Sequence, residues 1–486
     1  MTLRVAVAGN GMAGFRFVQE LLASTAGARV TVVGEEQGGA YNRVQLPNVL
    51  AGTAGPASLE LAAEDWYAAR GVTLRAGVRA VRIDRGRRLL HLARGPAVPF
   101  DVLVLATGSS AVRPAAAGLA DGGGRLIPGA VAFRTAADCA EIQALAAGAR
   151  RAVVLGGGVL GLETARGLAA GGLPVTLVQR GRRLMERQLD AGASRMLART
   201  VRSLGVAVRT GVSVKAVHGR ARLTGVELGD GRLLRAGLLV LCCGTAPRTG
   251  LARAAGLATG AGVIVDDQLR SVTDPAIFAI GECAEHRGRT HGLVAPSWAQ
   301  ARVAAQVIAA RAIAAPAPSY TGTPAVVRLK AVGIELATLG SARAGGRAEV
   351  ITFTDPGRGV YQKLIVRDGR LAGAILLGDT RAAGTITQLF DRGAPLPADR
   401  ASLLITRRNA PAAPASSPVL LPGRATICQC NGVTKAAICA AWQEGARAAT
   451  QIADRTRATT GCGTCRDAVE GIVEWLAAAD GGLAAV

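Results

Sequence analysis

The sequence contains no long apolar stretch that is free of charges and of turn residues. A helix that spans a membrane needs about 20 consecutive apolar residues, so we expect no such helix. The N-terminus also lacks the basic region, apolar core and cleavage site of a secretory signal, and it enters a buried-strand pattern directly at Leu3. These absences predict a cytoplasmic protein without a membrane partner.

Aromatic residues and lysine are scarce, although the chain is strongly basic. Only 3% of the residues are aromatic, and the formal net charge is +23. Nearly all positive charges are arginines scattered among alanine and glycine, without the interleaved aromatics that favour nucleic-acid binding. We therefore expect no nucleic-acid partner. Whether the charge steers an acidic redox protein or only reflects composition stays open at this point.

A disulfide framework is not expected either. The chain has nine cysteines, an odd number, whereas secreted frameworks pair theirs. Free cysteine packs as a small hydrophobe, so we expect five of the nine to be inert core residues. These five are Cys139, Cys242, Cys243, Cys283 and Cys439.

The remaining four cysteines form two close pairs near the C-terminus. Cys428 and Cys430 are spaced C-x-C, and Cys462 and Cys465 are spaced C-x-x-C. Four thiolates in two pairs suit either an iron–sulfur cluster or a structural zinc ion. The C-x-C spacing is less usual for zinc, so the sequence favours an iron–sulfur cluster.

A chain of 486 residues is expected to form several domains. Two stretches about 145 residues apart repeat the order strand, glycine turn and helix. In a dinucleotide-binding fold, such glycines let the backbone approach a pyrophosphate at a helix N-terminus. The repeat therefore predicts two related nucleotide-binding domains. The two fingerprints are Gly9-x-Gly11-x-x-Gly14 and Gly156-x-Gly158-x-x-Gly161.

The residues after the second strand of each unit indicate how a ribose is held. In the first unit, Glu35 is our preferred ligand for the ribose hydroxyls, with Glu36 as the alternative. In the second unit, Gln179 replaces the acid that favours NAD, and Arg180 follows it with two more arginines close behind. Arginines there can bind a 2′-phosphate, so the sequence weakly favours NADPH. A plain basic surface is the alternative, and the choice stays open.

Two further glycine turns, Ala106-Thr107-Gly108 and Gly281-Glu282, each follow a buried strand. Together with the two fingerprints they resemble the two-dinucleotide-binding flavoprotein reductases. The resemblance implies FAD in the first fold and NAD(P)H in the second. It also implies that Glu282 contacts the ribityl–phosphate region of FAD, where that family more often has aspartate.

A narrower resemblance covers roughly residues 3–400. This part is similar to the flavoprotein half of assimilatory NAD(P)H nitrite reductase large subunits, and to the electron-transfer subunit of assimilatory nitrate reductase. The motifs that carry the similarity are Gly34-Glu35-Glu36, Tyr41-Asn42-Arg43, Phe133-Arg134-Thr135, Leu184-Met185-Glu186-Arg187-Gln188-Leu189-Asp190, Gly281-Glu282-Cys283-Ala284-Glu285-His286, Leu293-Val294-Ala295-Pro296-x-Trp298 and Leu376-Leu377-Gly378-Asp379-Thr380. The four paired cysteines resemble the 2Fe–2S domain of the bacterioferritin-associated ferredoxin type, which implies that all four ligate the cluster.

The resemblance implies a set of contacts for each cofactor. The FAD contacts are Gly9, Gly11, Gly14, Glu35, Glu36, Asn42, Arg43, Thr107, Gly108, Gly281, Glu282 and Trp298. The NAD(P) contacts are Gly156, Gly158, Gly161, Glu163, Gln179, Arg180 and Gly244. For Arg43 and Glu163, an ordinary surface ion pair is the alternative. No catalytic side chain is assigned, because the electrons are expected to pass through the cofactors.

The predicted fold class is α/β, with two Rossmann-like domains, a small α+β domain and a small helical 2Fe–2S domain. The predicted boundaries are 1–112 and 242–315 for the FAD-binding domain, 113–241 for the NAD(P)-binding domain, 316–406 for the α+β domain, 407–424 for a Pro/Ala linker and 425–480 for the 2Fe–2S domain. The linker is predicted from its prolines among alanine and serine. The oligomeric state stays open.

Two further absences narrow the expected function. No cysteine follows Cys465, so the sirohaem domain of the nitrite reductase large subunits is not expected in this sequence. No C-x₂₋₄-C pair precedes Cys428, which disfavours the dithiol chemistry of flavin disulfide reductases. We expect electrons to pass from NAD(P)H through FAD and the cluster to a separate acceptor, such as a nitrate or nitrite reductase. The alternatives are a ferredoxin or rubredoxin reductase, and a non-enzymatic docking or iron-sensing protein.

Overall fold

The computed structural model describes residues 2–25, 27–312, 316–329, 331–342, 345–404, 421–428, 431–460 and 465–483. Most of the predicted linker (407–420) lies outside these residues, as do Cys430 and Cys462. In the described part of the chain, no helix is both long enough and apolar enough to cross a membrane.

Short strands and helices alternate along much of the chain. The strands are β1 (Arg4–Ala8), β2 (Arg29–Val33), β3 (Ala40–Tyr41), β4 (Glu60–Ala62), β5 (Thr73–Arg75), β6 (Ala80–Asp84), β7 (Leu89–Leu92), β8 (Val98–Pro99), β9 (Val102–Leu105), β10 (Ser109–Ala111), β11 (Ala130–Ala132), β12 (Ala152–Leu155), β13 (Val175–Gln179), β14 (Val206–Thr210), β15 (Val214–His218), β16 (Gly225–Leu228), β17 (Leu233–Arg235), β18 (Leu238–Leu241), β19 (Thr245–Pro247), β20 (Val263–Val265), β21 (Ile277–Ala279), β22 (Ala284–His286), β23 (Val326–Leu329), β24 (Leu336–Gly340), β25 (Glu349–Asp355), β26 (Val360–Arg367), β27 (Arg370–Leu377), β28 (Thr426–Cys428) and β29 (Val433–Thr434). The α-helices are α1 (Met12–Ser24), α2 (Leu46–Leu50), α3 (Glu64–Ala68), α4 (Ala136–Gly148), α5 (Val159–Ala170), α6 (Ala191–Ser203), α7 (Gly250–Ala254), α8 (Val294–Ala312), α9 (Ala383–Arg392), α10 (Lys435–Gln443), α11 (Ala449–Thr456) and α12 (Arg466–Leu483).

The first compact unit comprises Met1–Arg43, Gly55–Val112 and Thr245–Thr323. Its main sheet is parallel, with the strand order β21-β9-β1-β2-β5. Apart from the exposed Arg4, the central strands β1 and β9 are buried, as expected for a sheet covered on both faces. Helices α1 and α8 pack against each other beside this sheet. The carboxyl end of β1, where the first fingerprint lies, is therefore set on a rigid layer.

The second unit comprises Val44–Ala54, Arg113–Gly244 and Pro324–Val486. It contains a second parallel sheet, with the order β11-β18-β12-β13-β14. Strand β12 in the middle is buried and leads into the second fingerprint. The two parallel sheets thus confirm the predicted pair of Rossmann-like folds.

The rest of the second unit forms an antiparallel sheet and a small helical cluster. The sheet has the order β23-β24-β27-β26-β25 and packs against α9. Helices α10, α11 and α12 enclose a separate apolar core that includes Cys428 and Cys465. These two parts confirm the predicted α+β and helical portions of the fold. The predicted residue boundaries of the domains stay a prediction.

Helix α8 begins at Val294 and includes Pro296, which is tolerated in a first turn whose backbone N–H groups have no partner within the helix. The two strands between Val263 and Gly281 belong to different sheets: β20 pairs with β22, whereas β21 joins β9 in the main sheet. Which neighbour a short apolar strand selects depends on tertiary packing, which its local sequence does not encode.

Candidate functional site

The first glycine turn brings three parts of the chain into close contact. Gly9 has φ +124°, and a Cβ atom there would clash with the carbonyl oxygen of Ala106. A Cβ on Gly14 would clash with the carbonyl of Gly9, whereas one on Gly11 would meet nothing within 4 Å. Gly11 also begins α1 without a side-chain cap. The turn therefore leaves open space at the helix N-terminus, where a pyrophosphate would bind.

The two candidate ribose acids have different partners. Glu35 accepts a hydrogen bond from Arg248 Nη1 at 2.6 Å. Glu36 accepts from Arg43 Nη2 and from the Tyr41 hydroxyl, both at 2.6 Å. Both acids lie at the end of β2, as predicted, and each can still accept from a ribose hydroxyl through its other lone pairs.

Two of the predicted flavin contacts, Arg43 and Glu282, lie close enough to interact electrostatically. Burial opposes the charge of Arg43, but the neighbouring Tyr41, Glu36 and Glu282 outweigh it and raise the pKa of the guanidinium. The Ser109 hydroxyl donates to Glu282 Oε2 at 2.7 Å. These contacts place the Glu282 carboxylate in the same charged group as Arg43.

The Ala106-Thr107-Gly108 turn is tied to a residue that sequence reasoning missed. The Thr107 hydroxyl donates to the Arg248 carbonyl at 3.0 Å, and the Arg248 N–H donates to the Gly108 carbonyl at 2.9 Å. Arg248 thus links this turn to Glu35. The only signal in the sequence was its position directly after Thr245-Ala246-Pro247, which follows a buried strand and a glycine.

The start of α8 presents an unpaired donor. Trp298 is buried, and among the described residues its indole Nε1 has no hydrogen-bond partner. Gln300, a second residue that sequence reasoning missed, accepts from the Gly281 N–H at 2.7 Å. Gly281 has φ +75°, and a Cβ there would lie 2.9 Å from Ala13 Cβ. A buried unpaired donor beside an uncapped glycine turn fits a ligand with acceptor atoms, as the flavin ring and the pyrophosphate of FAD both have.

The second glycine turn repeats the first. Gly156 has φ +110°, and a Cβ there would clash with the Cys242 carbonyl. A Cβ on Gly161 would clash with the Gly156 carbonyl, and Gly158 has open space beside it. Gly158 begins α5 without a side-chain cap. The same close approaches and the same open helix N-terminus fit a second dinucleotide.

The Gln179 side chain at the end of β13 forms a hydrogen bond to the carboxylate of Glu186, which lies further along the chain. Gln179 Oε1 accepts from the Gly157 N–H at 2.8 Å, and Gln179 Nε2 donates to Glu186 Oε1 at 3.0 Å. Arg180 is exposed, and the predicted contact Gly244 has open space around it. Glu186 is a third residue near a site that sequence reasoning did not assign.

Buried polar groups line the strand ends behind this turn. Glu163 is buried on α5, so its position is that of an interior group rather than of a surface ion pair. Burial raises the pKa of the Cys242 thiol to about 12 and also raises that of Cys243. Both thiols are therefore protonated at neutral pH, which is unfavourable for dithiol chemistry.

Three of the five cysteines predicted to be core residues are buried, namely Cys139, Cys242 and Cys283. Cys243 and Cys439 are partly buried, and Cys243 packs against the apolar core at the second parallel sheet. Cys243 comes just after β18, and Cys439 lies in α10. Such positions leave one side of a small residue uncovered.

Two of the four paired cysteines are described, and both fit a cluster site. Cys428 and Cys465 are buried. The Thr459 N–H donates to Cys465 Sγ at 3.2 Å, the kind of hydrogen bond that stabilises a ligating thiolate. Cys430 and Cys462 lie outside the described residues, so their ligation stays a prediction.

The Asn431 side chain links residues next to the two cysteine pairs. Asn431 follows the first pair, and its Nδ2 donates to the Arg457 carbonyl at 2.6 Å and to Thr460 Oγ1 at 3.1 Å. Thr460 precedes the second pair by two positions. The residue that follows the first pair is therefore bonded to residues that precede the second pair.

These folds and sites define a flavin reductase with two dinucleotide folds and an attached iron–sulfur domain. Comparison with family models agrees: residues 3–307 match pyridine nucleotide-disulphide oxidoreductase, residues 326–394 match the rubredoxin NAD+ reductase C-terminal domain, and residues 426–475 match the BFD-like [2Fe-2S] binding domain. The chain belongs to the pyridine nucleotide-disulphide oxidoreductase family. It is an NAD(P)H-dependent oxidoreductase whose cofactors are FAD, NAD(P)H and a 2Fe–2S cluster.

Curated relatives are similar to this chain along almost its whole length. The chain is 32% identical to the assimilatory nitrate reductase electron transfer subunit of Bacillus subtilis, over 97% of this chain and 60% of that protein. It is 35% identical to the nitrite reductase [NAD(P)H] large subunit of Klebsiella oxytoca, over 97% of this chain and 49% of that protein. The chain thus spans about half to three-fifths of the length of these relatives.

The fold is also that of a solved reductase. The structure of the ferredoxin reductase for the CYP199A2 system from Rhodopseudomonas palustris superposes with a TM-score of 0.72 and 28% sequence identity. The superposition covers 81% of this chain and 95% of that one.

Proposed function

We propose that the chain carries electrons from NAD(P)H through FAD and a 2Fe–2S cluster to a separate nitrate or nitrite reductase in nitrogen assimilation. The observation that supports this acceptor is the similarity to the nitrate reductase electron transfer subunit along 97% of the chain, cysteine segment included. FAD is suited to a place between NAD(P)H and the cluster, because a flavin takes up a hydride and releases electrons singly. The site of action is the cytoplasm, with no nucleic-acid or membrane partner.

In this proposal the residues of the first unit bind and orient FAD. Gly9, Gly11 and Gly14 receive the pyrophosphate at the N-terminus of α1, with the positive end of the helix towards the phosphates. Glu35 or Glu36 accepts from the ribose hydroxyls. The other contacts are Asn42, Arg43, Thr107, Gly108, Gly281, Glu282 and Trp298, and to these we add Arg248 through its bond to Glu35.

The residues of the second unit bind the nicotinamide dinucleotide. Gly156, Gly158 and Gly161 take the pyrophosphate, and Gln179 and Arg180 lie at the ribose end. Glu163 and Gly244 complete the set. Cys428, Cys430, Cys462 and Cys465 ligate the cluster, with the N–H of Thr459 on Cys465 Sγ.

The acceptor is tested by reconstitution with purified components. The full chain is mixed with NADH or NADPH and with the molybdenum-containing catalytic subunit of the assimilatory nitrate reductase from the same organism. We expect nitrite to form only when chain, nucleotide and catalytic subunit are all present, and not with the Cys465→Ser variant. Cys439→Ser, a partly buried cysteine outside the two pairs, is the matched control and is expected to retain activity.

A ferredoxin reductase is the second candidate, favoured by the structural similarity to the CYP199A2-system enzyme. In the same experiment, a small ferredoxin replaces the catalytic subunit. Fast reduction of the ferredoxin without any nitrite formation would support this candidate and contradict the proposed acceptor.

A further inference from the structure

The segment between β13 and α6 folds back onto the second glycine turn. The Met185 N–H donates to the Gly157 carbonyl at 2.9 Å, and Met185 itself has φ +47°. Left-handed backbone at a non-glycine residue is uncommon and is kept only where surrounding contacts hold it. Glu186, the next residue, is therefore presented from a segment fixed to the fingerprint.

Gln179 connects the glycine turn to the Glu186 carboxylate. Its Oε1 accepts from the Gly157 N–H at 2.8 Å, and its Nε2 donates to Glu186 Oε1 at 3.0 Å. A Cβ atom at position 181 would overlap the Glu186 carboxylate, so Gly181 leaves the room that the carboxylate occupies. A negative charge is thus held one amide group beyond the end of β13.

This position has a defined meaning in a dinucleotide-binding fold. The adenosine ribose binds at the end of the second strand, where a carboxylate accepts from the 2′-hydroxyl. In this chain Gln179 occupies that end and Glu186 supplies the carboxylate beside it. A 2′-hydroxyl can donate to Glu186, whereas a 2′-phosphate would bring a second negative charge against it.

We propose that Glu186 selects NADH over NADPH as the electron donor. The inference rests on the proposed function, since it requires the nicotinamide dinucleotide to bind at Gly156, Gly158 and Gly161. It is opposite to the weak preference for NADPH that the arginines indicated in the sequence. Arg180 and Arg182 are exposed and Arg183, like Glu186, is partly buried, but Glu186 is also held by Gln179. Its carboxylate therefore has a fixed position beside the end of β13.

The test compares binding of the two adenosine halves to the full purified protein. ADP-ribose and 2′-phospho-ADP-ribose are titrated by calorimetry, and kcat/KM for NADH and NADPH is measured with ferricyanide as acceptor. We expect the wild-type protein to bind ADP-ribose at least about tenfold more tightly, which corresponds to about 1.4 kcal/mol. The kcat/KM ratio should favour NADH in the same direction.

Two variants and one control isolate the Glu186 charge. Glu186→Gln removes the charge and keeps the shape, and we expect it to narrow the binding ratio to within about threefold, mainly by tighter binding of 2′-phospho-ADP-ribose. Glu186→Ala should narrow the binding ratio as well, and it also removes the hydrogen bond from Gln179. Glu141→Gln makes the same charge change at an exposed position on α4 and should leave the ratio unchanged.

The outcomes separate this inference from the function on which it rests. Tighter wild-type binding of 2′-phospho-ADP-ribose, or an unchanged ratio in both Glu186 variants, would overturn the role of Glu186 while NAD(P)H still reduces ferricyanide. Absence of binding of either ligand, together with no reduction by either nucleotide, would overturn the NAD(P) site itself and the inference with it.

Discussion

At the scale of single residues, the glycines of each fingerprint have separate roles. Gly9 and Gly14 are required by close backbone approaches, whereas Gly11 has open space where a Cβ would stand. Gly9 and Gly14 therefore allow the turn to fold, and Gly11 keeps the helix N-terminus clear for a ligand. The second fingerprint repeats this division.

These separate roles predict different effects for two alanine substitutions, one on stability and one on FAD binding. Gly9→Ala should lower the free energy of unfolding by about 3 kcal/mol or more, because a Cβ there clashes with the Ala106 backbone at φ +124°. Gly11→Ala should change the stability of the FAD-free protein by only about 1 kcal/mol but weaken FAD binding at least about tenfold. Denaturant unfolding and flavin titration measure the two effects. Equal losses of stability in the two variants would contradict this account.

Two of the site contacts that sequence reasoning missed join residues far apart in the chain. Arg248 bonds Glu35 across 213 positions, and Ser109 bonds Glu282 across 173. The glycine fingerprints and the cysteine pairs could be predicted because their chemistry lies in local spacing. A contact between turns that meet only in the folded sheet leaves no such local pattern.

At the scale of elements, one aspartate joins a helix to the antiparallel sheet of the second unit. Asp190 Oδ1 caps α6 by accepting from the Ala193 N–H at 2.9 Å. Its Oδ2 accepts from the Tyr361 hydroxyl at 2.7 Å and from Lys363 Nζ at 2.8 Å, both on β26. The sequence marked Asp190 only as part of a family resemblance, and the structure gives it a physical role.

The Asp190 contacts predict a pH-dependent contribution to stability. Burial raises the pKa of this carboxyl, but hydrogen bonds from Lys363, Ala193 and Tyr361 outweigh burial and hold it below its ordinary value of 3.8. The stabilisation is therefore fully present above about pH 4 and is lost as the pH falls through the lowered pKa. Asp190→Asn should cost about 1–3 kcal/mol at neutral pH, and its difference from wild type should shrink below pH 4.

Unfolding free energies measured from neutral to acid pH check this effect. Asp230→Asn is the control, because Asp230 pairs with Arg232 on an exposed surface and should cost little. A variant at position 190 as stable as wild type at neutral pH, or a difference that grows in acid, would be inconsistent with the proposed contacts.

Element type was largely predictable and strand partners were not. The buried strands before each fingerprint are confirmed, since their apolar patterns are strong. The assignment of β20 and β21 to different sheets depended on packing elsewhere in the chain. The fold class could therefore be predicted while part of the topology could not.

At the scale of the whole molecule, the charge is unevenly distributed along the chain. Residues 425–486 hold five basic and six acidic side chains, although the whole chain has a net charge of +23. The excess positive charge thus belongs to residues 1–424. Such a field attracts anionic reactants and is screened by salt.

This charge predicts a salt-dependent reaction with an anionic acceptor. The second-order rate of ferricyanide reduction should fall several-fold between about 0.01 M and about 0.5 M salt. Menadione, an uncharged acceptor, serves as the control and should show little change. Equal salt sensitivity of the two acceptors would mean that the net charge does not steer the reaction.

The central claim, an electron relay from NAD(P)H through flavin to a four-cysteine cluster, is tested most directly by anaerobic titration with NADH. Flavin absorbance and the low-temperature EPR signal of a reduced 2Fe–2S cluster are followed in the wild-type protein and in Cys465→Ser. We expect bleaching of the flavin and an EPR signal in the wild type, and bleaching alone in the variant. A colourless protein that holds one zinc ion and no flavin, or a variant whose flavin no longer accepts electrons from NADH, would contradict the account.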